Sequence, residues 1–413
     1  MKKNIIKGIV LSVMIGLMST AYTACQSVKI QTDSEKSMET SKAVPVPDTG
    51  DTEKFGFQEE SQASVPAEEP VPSKAGDPFN NADKKRVKAR GLYLTATSAG
   101  ARLKHYIDLA NTTEINSYVI DYKDDYGTVC LDSQVPLAKE IGAVDKRYET
   151  GKLIKELHDN NIYAIARIVC FKDPILAKSK PEMAIKNKDG GLYVHNSMNW
   201  VNPYNKDTWQ YNIDLAKEAL AQGFDEVQFD YIRFPDGKKS EMVFGDTGGK
   251  KTNETVNEFL AAARQQLPGA IISGDVFAII CESPGDTEGI GQVWEEVGKN
   301  LDYVCPMAYP SHYALGQIIN NVKFPKPDLD PYGVIKNTLL KAKNRMEKVE
   351  GHKPILRTYL QDFTATWIGK GNWQYYEDNQ VRQQIQAVYD AGYEEWFLWD
   401  PMNNYREGAF EKE

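Results

Sequence analysis

Between Gly91 and Trp399, short apolar runs recur along the chain, with longer stretches of helical spacing between them. The runs are Gly91–Thr95, Tyr118–Tyr122, Tyr163–Val169, Glu226–Asp230, Ala270–Asp275, Tyr303–Tyr309, Ile355–Leu360 and Glu395–Trp399. The fourth continues directly into Tyr231–Pro235. Helical periodicity covers Lys146–Asn160, with Leu153, Ile154 and Leu157 on one face, and Thr208–Gln222, Gly333–Val349 and Gln380–Ala391. Strands alternating with amphipathic helices predict a parallel sheet. Eight of them within about 320 residues predict one closed (β/α)₈ TIM barrel, from about Lys88 to about Tyr405. No Gly-rich loop opens a helix after the first strand, which argues against an open nucleotide-binding sheet.

The N-terminus reads as a processing segment. Lys2, Lys3 and Lys7 precede an apolar run, Ile9–Met18, too short to span a bilayer permanently. Tyr22-Thr23-Ala24-Cys25 follows and resembles a bacterial lipoprotein cleavage box. Residues 1–24 are therefore expected to be a signal peptide and Cys25 a lipidated first residue. Ordinary cleavage after Ala21 would release the protein instead; both routes are extracytoplasmic. Residues 25–86 are rich in Ser, Glu, Pro, Lys and Asp, without apolar period, and read as a tether. Residues 87–413 hold the folded domain.

Composition narrows the chemistry. A net charge of −9 argues against nucleic acid as a partner, since phosphate binding needs clustered Lys and Arg. The 22 Tyr and 7 Trp supply flat faces that suit sugar rings. His105, His158, His195, His312 and His352 are scattered, so neither a metal nor another cofactor is expected. Cys130, Cys170, Cys281 and Cys305 show no paired spacing and read as buried thiols, with a disulfide left open.

Barrel closure puts the active site at the C-terminal strand ends, where the long loops fall. Those loops are Phe171–Val201, Pro235–Asn253, Tyr309–Asp330 and Asp362–Tyr376. In the fourth strand Val227 and Phe229 alternate with Gln228 and Asp230. The outward set of a barrel strand packs on helices and is apolar, so Asp230 points inward. Ser273 and Asp275 do the same in the fifth strand. Neighbouring strands lie ~5 Å apart, so the two carboxyls can flank one bond, as glycoside hydrolysis requires. Asp121, Lys123 and Asp124 close the second strand and are candidates for positioning substrate. Glu282, after the fifth strand, is a reserve acid.

Gly223-Phe-Asp-Glu-Val-Gln-Phe-Asp-Tyr-Ile-Arg-Phe-Pro235, with Arg90-Gly91-Leu-Tyr93 and Gly274-Asp275-Val-Phe277, resembles the bacterial glycosyl hydrolase domains that carry FDYIRFP after the fourth strand. The resemblance spans the barrel and implies a hydrolase. More distantly the chain is similar to chitinase-like barrels, whose DxxDxDxE, MxY and final Trp match Asp225, Asp230, Met307, Tyr309 and Trp399. Gln228 replaces the middle Asp, and Ile232 stands where the chitinase acid would be, which leaves Asp275 as the candidate acid. Arg233, Met307, Tyr309, Arg357 and Trp399 complete the expected substrate-binding set. Trp200, Tyr204 and Trp373 are expected to line outer subsites.

The expected function is glycoside hydrolysis of an extracellular or cell-wall polysaccharide, by a monomer using Asp230 and Asp275. Two alternatives stand beside it: a catalytically silent carbohydrate-binding or surface-scaffold barrel, and a transglycosylase using the same residues.

Overall fold

The computed structural model describes residues 86–412. The expected cleavage site, the lipid on Cys25 and most of the tether lie outside the described residues. Eight parallel strands close into a barrel: β1 Arg90–Leu94, β2 Ser117–Lys123, β3 Tyr163–Val169, β4 Glu226–Asp230, β5 Ile271–Phe277, β6 Tyr303–Met307, β7 Ile355–Leu356 with Thr358–Gln361, and β8 Trp396–Trp399. Closure comes from β1, which pairs with β8 (Arg90 opposite Trp396) and with β2 (Gly91 opposite Ser117).

Seven helices among the described residues form an uneven outer layer: α1 Leu103–Ala110, α2 Thr150–Asp159, α3 Lys206–Ala221, α4 Thr252–Gln266, α5 Trp294–Val297, α6 Pro331–Met346 and α7 Asp378–Asp390; further short ones span Ala96–Ala101, Pro136–Glu140 and Pro174–Ser179. Four match the sequence expectation within a few residues. In α4, Val256, Phe259, Leu260 and Ala263 are buried, the i, i+3, i+4, i+7 spacing of a core-facing stripe. Between β5 and β6 stand a 3₁₀ turn, Ala278–Cys281, and one four-residue α-helix, and after β8 the described residues hold a 3₁₀ turn, Glu407–Ala409, in place of an α-helix. Among the described residues no helix is long and apolar enough to cross a membrane.

Strand parity sorts the apolar residues into two clusters. Tyr93, Val119, Ile165, Ile271, Tyr303, Cys305, Tyr359 and Phe397 fill the lumen. Val227, Phe229, Ile272 and Val304 join the helices in the outer cluster, as expected where alternate residues face opposite sides. The four cysteines within the described residues are buried and free.

Arg357 closes the lower lumen. It interrupts β7, is fully buried, and pairs with Glu226 (3.0 Å) and Glu395 (2.8 Å), both near the N-terminal strand ends. Its guanidinium lies 3.5 Å from the centre of the Tyr303 ring. The substrate-binding role expected for Arg357 is therefore wrong: it sits at the end of the barrel opposite the long loops, enclosed by its own carboxylates. Removing one member of a fully buried ion pair leaves an uncompensated charge. Arg357→Ala is expected to lower stability by about 3–5 kcal/mol, read from the midpoint of denaturant unfolding. A change within a few tenths would exclude this role.

Candidate active site

The upper lumen is organised by a second buried arginine. Arg167 follows Ile165 on the inward face of β3 and is 1% exposed. Its Nη1 donates to Asp121 Oδ1 (2.7 Å), its Nη2 to Asp125 Oδ2 (3.0 Å) and to Asp230 Oδ2 (2.5 Å), and its Nε to Asp230 Oδ2 (3.0 Å). A guanidinium is costly to desolvate, and its planar fork suits bonding to several carboxylate oxygens. Four residues from three consecutive strand ends are thus held in one network.

Each carboxyl meets a different environment. Asp121 Oδ2 accepts from Tyr93 Oη (2.7 Å), so both its oxygens are occupied. Burial pushes its pKa up to about 7 even though Arg167 opposes the rise. Burial would also raise Asp125, but Arg167 and Lys172 outweigh it and hold that carboxyl below the usual range. Lys172 Nζ donates to Asp125 (2.8 Å) and to Tyr231 Oη (3.2 Å). Asp230 Oδ1 accepts the Tyr231 backbone N–H (2.5 Å), so Asp230 too has both oxygens engaged.

Asp275 differs. Phe229 pairs with Gly274 across β4 and β5, and Asp230 and Asp275 each lie one residue beyond that pair. Asp275 is 2% exposed, and its Oδ1 has no hydrogen-bond partner among the described residues. Burial raises its pKa well above the ordinary range, the negative charge of Asp230 raises it further, and Arg167 only partly offsets them. One carboxyl of the pair is clamped by a cation and its neighbour is pressed to keep its proton. Opposed environments of this kind separate an acid from a base. Below them Tyr359 Oη donates to Gln228 (2.6 Å), which reaches Cys305 Sγ (3.6 Å).

The rim has two characters. Asp125, Lys172 and Tyr231 present polar atoms above β2–β4, while Met307, Trp399 and Phe363 are partly exposed above β6–β8. Trp399 is stacked on Tyr93 at 3.8 Å between ring centres, with Arg167 5.1 Å from its ring. Tyr309 is buried beside it in the lumen cluster.

Three expected site residues lie elsewhere. The β2–β3 register shifts between Asp121 and Lys123, and such a bulge re-aims a side chain. Lys123 therefore bonds Asp173 and Asn212, both at 2.8 Å, in a fully buried pair between strand and helix α3, and positions no substrate. Glu282 accepts the Asn320 N–H (2.9 Å) and faces Lys341 of α6, outside the lumen, so it is not the reserve acid. Arg233 is 6% exposed; it pairs with Asp236 (3.2 Å) and packs on Phe277 (4.2 Å), bracing the rim rather than Asp230. Among the loop aromatics, Trp200 is buried and Tyr204 packs on Phe234 and Phe244, while Trp373 stays partly exposed. Asp124 caps a turn through the N–H groups of Tyr126 and Thr128.

The Ile232 position also has a local explanation. Tyr231 takes a left-handed φ of +50°, which breaks strand alternation just after Asp230. Ile232 turns into the outer cluster, where a Cβ built on Gly274 would lie 2.9 Å from its terminal methyl. A chitinase-type acid has no path to the lumen from there. Asp125, Lys172 and Tyr93 were missed by the sequence reading. Tyr93 and Arg167 have inward parity that marks them, whereas Asp125 and Lys172 lie on loops without a period.

The chain belongs to the family described as "Putative glycosyl hydrolase domain", whose model matches residues 91–405. A hypothetical protein from Ruminiclostridium thermocellum is 54% identical over 45% of this chain and 97% of that one, with a TM-score of 0.43. The glycoside hydrolase domain of PgaB (BpsB) from Bordetella bronchiseptica is 12% identical, covers 76% of this chain and 94% of that one, and has a TM-score of 0.55, which shows a shared barrel fold. An alpha-galactosidase from Thermus thermophilus is 12% identical, over 77% of this chain and 59% of that one, with a TM-score of 0.45. No curated protein matches the chain.

Removing the Asp230 charge should make Asp275 easier to ionise, because a like charge disfavours the carboxylate. Asp230→Asn is expected to lower the Asp275 titration midpoint, followed by carboxyl carbon NMR. An unchanged or higher midpoint would show that the two groups do not interact.

Proposed function

We propose that this protein is a glycoside hydrolase that cleaves an extracellular or cell-wall polysaccharide with Asp275 as acid and Asp230 as its carboxylate partner. One observation carries the reading: two carboxyls on adjacent strand ends, one engaged at both oxygens by Arg167 and Tyr231, the other with a free oxygen and a raised pKa. Asp275 gives its proton to the glycosidic oxygen as the C–O bond breaks. Asp230 attacks the anomeric carbon or takes a proton from the attacking water. Arg167 holds Asp230 in position for that step, and Asp121 holds Arg167 in place. Trp399, Met307 and Tyr309 form the wall against which a sugar ring packs. A lipid on Cys25 would hold the barrel at the outer membrane face through the tether, as a monomer, with no nucleic acid and no cofactor involved.

A second reading has its own support. Asp230 and Asp275 are only 3% and 2% exposed, and Arg167 largely satisfies Asp230, as in a barrel that binds glycans without turning them over. Transfer to sugar in place of water would use the same residues; adding an acceptor and analysing products separates it.

Asp230→Asn and Asp275→Asn are each expected to reduce polysaccharide hydrolysis by at least about 10²-fold, the usual scale for losing acid–base assistance. Wild-type hydrolysis should fall as pH rises through the raised Asp275 pKa, because the protonated form is the active one. Undiminished hydrolysis in both variants would sink the assignment; glycan binding without turnover on a broad polysaccharide panel would favour the silent barrel.

A further inference from the structure

A line of aromatic rings leaves the lumen on the β6–β7 side. Tyr309 lies in the lumen cluster beside Met307 and Trp399. Its ring meets Phe363 edge-on at 5.7 Å between centres, and His312 meets the same ring at 6.0 Å. Trp367 lies over Phe363, nearly parallel at 19° and 5.8 Å, and remains partly exposed at the surface. The rings are therefore continuous from the neighbourhood of Asp275 to solvent.

The loop that carries Trp367 is held from beneath. Buried Asp328, in the preceding loop, accepts from Gln361 Nε2 (3.1 Å) and from the Gln374 N–H (3.1 Å) through its carboxyl, and from Gln374 Nε2 (2.7 Å) and Tyr376 Oη (3.3 Å) through its carbonyl. Lys326 Nζ adds a bond to the Gly371 carbonyl (2.8 Å). A partly exposed Trp gains little folding energy from its open part, yet both ends of this loop are pinned. Holding an aromatic plane in place before a ligand arrives lowers the ordering cost of binding.

We propose that Trp367, backed by Phe363, is an outer subsite on which a sugar ring stacks, beyond the ring held over Asp230 and Asp275. This rests on the glycosidase reading above for the class of ligand. A pyranose offers a C–H face to an aromatic plane and hydroxyls at its edge, and the platform adjoins a site whose opposite rim supplies Asp125, Lys172 and Tyr231 for hydroxyls. A ligand reaching both places has to be several rings long, so the subsite selects chains over short fragments.

The test measures binding of dimers and hexamers of β-1,4-linked glucose, N-acetylglucosamine and mannose, and of α-1,4-linked galactose. It uses the Asp230→Asn full chain, to limit turnover, by titration calorimetry. At least one hexamer should bind more tightly than its dimer. Adding Trp367→Ala should erase about tenfold of that advantage, a stacking-sized effect, while Trp367→Tyr should keep most of it. An unchanged hexamer-to-dimer ratio in a folded Trp367→Ala protein, or no hexamer preference in any series, overturns the subsite. The ratio is independent of turnover: hydrolysis that survives in both Asp→Asn variants would remove the catalytic assignment and leave the subsite standing.

Discussion

A guanidinium taken out of water must be met by carboxylates, and the upper barrel is arranged around that demand. Arg167 ties Asp121, Asp125 and Asp230 into one network. Asp275, which Arg167 does not bond, is left without that compensation, and burial presses it to keep its proton. A comparable arrangement closes the other end, where Arg357 is met by Glu226 and Glu395. The lumen is therefore stoppered by ion clusters, with an apolar and aromatic centre around Gln228. The lower cluster is sealed and structural. The upper one differs because it spends its cation unevenly over the carboxyls around it.

Much of the barrel was legible because its strands obey a two-residue alternation and its helices a 3.6-residue one, both visible as apolar spacing. Gln228, Asp230 and Asp275 were correctly oriented inward by the same parity. Parity failed where the backbone departs from a regular strand. The bulge at Asp121/Lys123 sent Lys123 outward, and the left-handed Tyr231 sent Ile232 outward. Arg357 kept regular inward parity but was assigned to the wrong end, because alternation gives a face and not a height. Asp125 and Lys172 lie on loops, where position depends on partners far apart in sequence.

The two sides of the mouth divide labour. Above β2–β4 the groups are charged and fixed by hydrogen bonds; above β6–β8 they are aromatic and fixed by packing. A sugar is itself divided in this way, with hydroxyls at its rim and C–H bonds on its faces. Long loops follow β3, β4, β6 and β7, while the return from α7 to β8 is a tight turn in which Gly392 adopts φ +84°.

The outward turn of Ile232 has a meaning for anyone wishing to redesign this scaffold. Restoring the chitinase-like pattern by writing a glutamate at position 232 would not transplant that chemistry. The new carboxylate would be forced against Gly274 and Leu301 in a greasy seam, where the protein would sooner unfold locally or keep it protonated than deliver it to a ligand. The bend at Tyr231, and not the side chain that follows it, decides which side of the barrel wall position 232 faces.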